Sequence, residues 1–332
     1  MSSSLVKNRI GGMVTLLVAL VLAGGVVNAA KIKAITEKVD AIMIGDRIVD
    51  IAYHLGVMPV AMSIRGSEWP ESKPYKVVSQ ILGCPKRVTV KSKERVPDAL
   101  KKFGVKRIIV ERNPQFCAYM PKVDPVNIES VLKERNVTGI SIEYVDFSKG
   151  VESAIKQTAK LLGKEDKADA LIEKLNKKTA KMKAGMSKEK LGKKVLILKG
   201  TYQTSTGKPS IRVEAPGGYA DKYFLEPLGC SNVGGVFAPK DGKPKKGHFD
   251  VPKKRKFVDL GKVIEANPDV IVMTGDVVAV QKALAGYIEK NPELAKVPAI
   301  KNMAMYKLPI HIGSSIFKYP DMFKKWQKIL SN

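Results

Sequence analysis

Residues 151–185 read VESAIKQTAKLLGKEDKADALIEKLNKKTAKMKAG, and this stretch decides the fold. It is rich in Lys, Ala and Leu and contains no proline. Ala168, Leu171, Ile172, Leu175, Thr179 and Met182 recur at helical spacing and form one stripe. The spacing predicts a long helix closed by Gly185, with Gly163 dividing off a shorter helix before it. A helix of about 20 residues is about 30 Å long, enough to cross a small domain. On either side the pattern changes to short β-branched runs that alternate with helical ones. Upstream, 41–44, 57–62, 105–110 and 139–145 read as strands, and 47–55, 97–103 and 127–135 as helices. Downstream, 194–198, 270–273 and 304–308 read as strands, and 219–228, 260–266, 277–289 and 321–330 as helices. Asn267-Pro268 ends one of these. Such alternation with short connections makes a mostly parallel sheet covered by helices. The expected fold is α/β: two Rossmann-like lobes with central mostly parallel sheets, joined by one long spine helix. The expected division is an N-terminal lobe at 30–150, a linker with the spine helix at 151–190, and a C-terminal lobe at 191–332.

The chain has 332 residues, which suits two domains at about 150 each. With 44% hydrophobic and 27% charged residues, composition excludes disordered, collagen-like and multi-span membrane classes. Lys plus Arg number 58 against 32 for Asp plus Glu, a formal charge of +26. That excess points to an anionic partner or surface and says nothing about fold. Three cysteines exclude a disulfide-built scaffold. At the start, Lys7 and Arg9 precede an apolar run over 10–27, and Val27-Asn28-Ala29 supplies small residues at its end. This layout predicts a signal peptide over 1–29, cleaved after Ala29. The competing reading is a retained anchor, for which an apolar run of about 18 residues is short. No cysteine lies near the junction, so a lipoprotein is not expected. The expected location is periplasmic.

Several local sequences follow one another across nearly all of the remaining chain. They are Gly45-Asp46-Arg47 running through to Leu55-Gly56-Val57; Ser67-Glu68-Trp69-Pro70-Glu71; the stripe over 168–182; Phe224-Leu225-Glu226-Pro227-Leu228-Gly229, continued as Cys230-Ser231-Asn232-Val233; Asn267-Pro268-Asp269-Val270-Ile271-Val272; and Val297-Pro298-Ala299-Ile300-Lys301-Asn302. In order and spacing they resemble the solute-binding proteins of ABC importers in the vitamin B12, iron-siderophore and haem group, the class with a helical backbone between lobes. Two places depart from that pattern. Gly104-Val105-Lys106 stands where the family has proline-aspartate before a strand, and the basic insertion 242–256 has no counterpart. The resemblance implies a monomeric receptor, with no cofactor and no enzymatic activity. It captures an iron complex, corrinoid or haem-like solute in an interlobe cleft and delivers it to an ABC permease of the inner membrane. It also implies that Glu71 and Glu226, one on each lobe, dock against permease arginines; the competing reading is two ordinary exposed acids. A receptor for a transition-metal ion or small oxyanion is the alternative among binding proteins, and a secreted α/β enzyme the alternative outside them.

In open α/β sheets ligands bind beyond the carboxyl ends of the strands. The candidate loops are 45–47, 63–69 and 111–120 in the first lobe, and 201–205, 215–219, 274–276 and 311–315 in the second. They nominate Arg47, Arg65, Trp69, Arg112, Phe116, Tyr119, Tyr202, Tyr219 and His311 as ligand-binding residues. Aromatic walls suit a bulky, partly apolar ligand, and arginines clamp carboxylates or phosphates in two-pronged fashion. The bland reading is that the aromatics cap loops and the arginines pair with local acids. Cys84, Cys117 and Cys230, with Met120 or His248, are candidate ligands for a soft metal. No Cys-x-x-Cys or His-x-x-x-His spacing supports a preformed site, and buried thiols or a Cys84–Cys117 bridge remain open. The insertion 242–256 holds seven basic residues and one acid. Its charge suits anionic polymers or nucleic acid. Export and the lack of interleaved aromatics speak against nucleic acid, which leaves a solvated loop. His54 shares a helical face with Arg47 and Asp50, read as solvated. No nucleophile-elbow or phosphate-loop motif argues for catalysis.

Overall fold

The first strand, β1 (Glu37–Ile44), is buried over its inner half, where Ala41, Ile42, Met43 and Ile44 see no solvent. A strand covered on both faces must be apolar at every position, so it shows a continuous run and no alternation. The structure, a computed structural model, describes residues 37–120, 122–186, 189–203, 205–240, 242–254 and 257–332. The expected signal peptide at 1–29 lies outside the described residues.

Around β1 stand β2 (Val57–Ser63), β3 (Gln80–Gly83), β4 (Arg107–Arg112) and β5 (Ser141–Asp146), in a five-stranded sheet of order β3-β2-β1-β4-β5. Every pair is parallel. Helix α1 (Asp46–Leu55) connects β1 to β2 and ends at Gly56, whose φ of 89° turns its amide back onto the Ala52 and Tyr53 carbonyls. Helices α2 (Arg95–Phe103) and α3 (Ile128–Glu134) precede β4 and β5, and α4 (Val151–Leu161) follows. The chain leaves β1 for β2 on one side and returns to β4 on the other. A crevice therefore opens at the carboxyl ends of β1 and β4. Gly45 sits there because a Cβ would meet the Glu111 Cβ at 2.2 Å.

The spine, α5 (Ala168–Ala184), has 17 residues and is about 25 Å long. Its buried residues, Ala168, Leu171, Ile172, Leu175 and Met182, are those of the sequence stripe, with Thr179 half-buried. It packs on α1 and α4 of the first lobe and on the closing helix (Tyr319–Leu330) of the second.

In the second lobe the order is β13-β12-β6-β7-β9, with β8 on the start of β6. The strands are β6 (Lys194–Gln203), β7 (Lys208–Glu214), β8 (Ser231–Asn232), β9 (His248–Asp250), β12 (Val270–Gly275) and β13 (Met305–Lys307). A small ribbon of β10 (Lys253–Lys254) and β11 (Phe257–Val258) lies apart. β8, β6, β12 and β13 are parallel, whereas β7 runs opposite to β6 and β9 turns back again, antiparallel to β7. Alternate residues of β6 and β12 feed two cores. One holds Phe237, Phe249 and Leu284, and the other Phe224, Phe323 and Trp326 with Met182 of the spine.

Three expectations need correction. The strand expected over 194–198 continues to Gln203 as β6, because β7 returns as its hairpin partner. The insertion 242–256 is not simply a solvated loop: His248 and Phe249 are buried in β9, which pairs with β7. The lysines around them masked that short pairing. The α1 face bearing Asp50 and His54 is also covered, because the second lobe lies over it and the His54 ring meets Phe317 at 4.1 Å between centroids. Among the described residues no helix is long and apolar enough to cross a membrane.

Trp326 is 1% exposed, stacks on Phe224 at 4.5 Å, and donates from Nε1 to the Pro309 carbonyl at 3.0 Å. Trp326→Ala is expected to lower the unfolding free energy by about 3–5 kcal/mol in urea denaturation. A loss below about 1 kcal/mol would show that the closing helix is not tied into the core.

Candidate functional site

The crevice at the ends of β1 and β4 is filled by a buried polar network that joins the lobes. Asp46, at the start of α1, accepts from the Arg65 backbone N–H at 2.8 Å and from Arg65 Nε at 2.5 Å. Arg65 then reaches the second lobe. Nη1 donates to the Tyr219 hydroxyl at 2.8 Å, and Nη2 lies 3.3 Å from both the Ile312 carbonyl and Ser314 Oγ. Ser314 Oγ donates back to Asp46 at 2.5 Å. The Tyr219 hydroxyl also accepts from the Ala118 N–H at 2.9 Å. Arg65 is 4% exposed, and its guanidinium lies over the Phe116 ring at 4.2 Å. Burial opposes its charge, but the neighbouring groups, Asp46 foremost, overturn this and raise its pKa. Nearby, Arg47 Nε donates to the Gly313 carbonyl at 2.9 Å and pairs with Glu111 at 3.7 Å. Trp69 Nε1 donates to Ser315 Oγ, and Lys199 Nζ to Glu68 at 2.8 Å.

Beside this network lies a cavity of about 280 Å³ lined by both lobes. Arg65, Lys86, Arg87, Lys91, Lys199, Arg212 and Lys246 give it a strong basic excess, with Glu68 as the acid. Lys199 and Arg212 are directly paired across β6 and β7, so they share one face. Tyr119, Tyr219, Cys84, Cys117, Met120 and His248 complete the wall. Gly247 lets β9 approach: a Cβ there would overlap the Tyr119 ring at 2.0 Å. The His248 Nδ1 lies 2.8 Å from the Lys246 carbonyl. A carbonyl only accepts, so Nδ1 carries the proton and Nε2 keeps its lone pair. Burial lowers the His248 pKa to about 4, so the ring is neutral near pH 7. The cysteines are free thiols, and the Cys84–Cys117 bridge is not formed. Among the described residues no group of three or more His, Cys, Asp or Glu is placed to hold a metal ion.

Of the residues nominated from the sequence, Arg65, Tyr119 and Tyr219 meet at this cavity, with Cys84, Cys117, Met120 and His248. Trp69 and Phe116 are buried in the seam beside it. Arg47 and His311 line a different groove. Arg112 lies over the Tyr144 ring at 4.2 Å, and Tyr202 lies under Lys282 at 5.4 Å; neither lines the cavity, nor does Cys230. Glu71 is half-exposed and Glu226 exposed, and neither is in an ion pair among the described residues. The cations Lys86, Arg87, Lys91, Lys199, Arg212 and Lys246 were not nominated. The charge run at 86–91 and the polar residues inside strand patterns at 199 and 212 are the signals that point to them.

A family model, Periplasmic binding protein, matches residues 125–310. Among solved structures, the chain is similar to the periplasmic haem-binding protein RhuT from Roseiflexus sp. RS-1 in apo form, with 15% identity, 88% of this chain and 97% of that chain covered, and a TM-score of 0.55. It is similar to the periplasmic haem-binding protein HutB of Vibrio cholerae, with 16% identity, 90% and 100% covered, and a TM-score of 0.53. It is also similar to the triscatecholate siderophore-binding protein FeuA from Bacillus subtilis, complexed with ferri-bacillibactin, with 16% identity, 88% and 92% covered, and a TM-score of 0.52. At these identities the likeness shows the fold alone. No curated protein matches the chain.

Behind Tyr119 stands Glu214, at the end of β7. It accepts from the Ala220 N–H at 3.0 Å. The Tyr119 hydroxyl is buried against this carboxylate without a hydrogen bond of good geometry. Burial raises the Glu214 pKa from 4.5 to about 7. Between those values the folded protein holds a proton that the unfolded chain has released. The resulting stabilisation is complete below 4.5 and is lost as pH rises through about 7. Comparing urea midpoints of the wild type and Glu214→Gln at pH 5 and pH 8 is expected to show the variant gaining relative stability at pH 8. An unchanged difference between the two pH values would contradict the raised pKa.

Proposed function

The chain belongs to the periplasmic binding protein family, and from that premise we propose that it is an extracytoplasmic receptor for an iron complex or haem-like ligand, which it delivers to an ABC importer permease of the inner membrane. The observation that carries this reading is the cavity between the lobes. Both lobes build it, its cations outnumber its acid, and an aromatic and a neutral imidazole face it together. The basic side chains suit the carboxylates or catecholates of an anionic chelate. In this reading the Nε2 lone pair of His248 meets the iron, and the Tyr119 ring, in edge contact with His248 at 5.1 Å, meets the apolar part of the ligand. Relatives of the same fold bear haem or ferri-bacillibactin in their names. Small-molecule pockets run from about 300 Å³ upward, so a compact chelate fills this one and a larger ligand extends past its rim. Residues 1–29 act as the export signal in this reading, and Glu71 and Glu226 contact the permease. A bare metal ion is disfavoured because the described residues gather no set of His, Cys, Asp and Glu for it.

Thermal unfolding of the purified protein with haem, a ferric tris-catecholate, cobalamin, Zn²⁺ and phosphate tests the reading. A true iron-complex ligand at a hundred times its Kd adds about 2.7 kcal/mol, a rise of about 5 °C or more. Arg212→Gln is expected to weaken that ligand about tenfold through loss of a charge-assisted hydrogen bond. No rise with any iron complex, or a rise with Zn²⁺ or phosphate alone, would overturn the proposal.

A further inference from the structure

A second space of about 450 Å³ opens on the other face of the segment that closes the cavity. Ile312 lines the cavity, whereas its neighbours His311 and Gly313 line this groove. The groove also takes in the start of α4 at Val151, the spine at Leu175 and Thr179, and the second lobe at Tyr223, Ile316 and Tyr319. Its surface is largely apolar, with polar groups gathered at one corner. There Arg47 enters from the first lobe, its Nε bonded to the Gly313 carbonyl. Among the described residues, Arg47 Nη1 and Nη2 have no acceptor within hydrogen-bond distance. Gly313 lets both side chains pack close at that corner: a Cβ built on it would lie 2.7 Å from the Tyr223 hydroxyl and 3.0 Å from Arg47 Nη2. Two donors thus stand side by side against the same residue. The acid that lines the groove, Glu152, already accepts from Asn176 Nδ2 at 2.8 Å. His311 is 4% exposed, and its Nδ1 has no hydrogen-bond partner. Buried polar atoms are normally paired, so this nitrogen is available to a group that enters the groove.

From this juxtaposition we propose that the groove is a second ligand site, taking a small monocarboxylate with an apolar body, its oxygens held by Arg47 and Tyr223 and its body lying along Leu175, Ile316 and Tyr319. A guanidinium with free terminal N–H groups beside a phenol matches the planar, two-oxygen acceptor of a carboxylate. Burial lowers the His311 pKa to about 3, so the ring is neutral and Arg47 is the cation that lines the groove. A molecule seated here touches both lobes and the spine at once. The site stands independently of what the basic cavity binds.

Saturation-transfer difference NMR on the purified protein tests it, with hexanoate and benzoate as the chain-like and ring-like probes and 1-hexanol as the uncharged control. At least one carboxylate is expected to bind about tenfold or more tighter than 1-hexanol, since a hydrogen bond to a charged group is the stronger kind. Thr179→Trp, which fills the groove from a half-buried spine position, is expected to abolish the transfer. Tyr223→Phe removes one hydroxyl without disturbing packing and is expected to weaken binding about threefold or more. Lys86→Gln lowers the charge of the other cavity and separates the two sites. The proposal falls if the wild type shows no transfer, if 1-hexanol binds as tightly as both carboxylates, if transfer survives Thr179→Trp, if Tyr223→Phe leaves the affinity unchanged, or if Lys86→Gln weakens it, which places the anion in the basic cavity.

Discussion

The rest of the structure depends on one buried ion pair, Asp46 with Arg65. Both residues belong to the first lobe, and both are nearly inaccessible to water. Removing one partner of such a pair costs about 3–5 kcal/mol, mainly because the other charge is left uncompensated. The pair is therefore best understood as a device for orientation. Arg65 uses each prong of its guanidinium toward a different acceptor: Asp46, the Tyr219 hydroxyl, and the Ile312–Ser314 segment. Lysine, with one ammonium on a flexible stem, does not reproduce that fork. The second lobe is thus positioned by groups that cannot move without exposing a buried charge.

The spine and this network act together. The helix packs on elements of both lobes along one side, and the network fastens the sheet edges on the other. A seam held at two places has little freedom to swing. The cavity and the groove are separated by the chain segment at 311–313, whose successive residues line opposite spaces. One is basic, with aromatic, thiol and imidazole groups. The other is mostly apolar with a single cationic corner. Charge and shape thus differ sharply across a wall one chain thick.

Much of this fold was legible in the sequence because burial writes period into it. The spine stripe and the apolar runs of β1, β2, β4 and β12 follow from elements covered on known faces. β7 and β9 were missed for physical reasons. β7 alternates buried Ile211 and Val213 with exposed or half-exposed Lys208 and Arg212, and β9 has only three residues among lysines. Of the residues the strand-end rule nominated, Arg65 and Tyr119 line the cavity from loops after the parallel strands β2 and β4, and Tyr219 from the loop after the antiparallel β7. The rule did not find Lys199 and Arg212, which project from strand interiors, or Lys246 and His248, which arrive on the insertion. It grouped Arg47 and His311 with the cavity because spacing cannot tell on which side of a single chain segment a residue falls. Asp46 and Glu111 had no local signal, because their roles are set by distant partners.

The most direct test of the account is the exchange rate of one amide hydrogen. The Ala118 N–H donates to the Tyr219 hydroxyl across the seam, so it is shielded only while the lobes are together. In the protein without added ligand, the account predicts that Ala118 exchanges about a hundredfold or more slowly than in an unstructured chain. Exchange of Ala118 at the unprotected rate, while the amides of β1 stay shielded, would show that the lobes part on their own and would contradict the claim that the buried pair holds them.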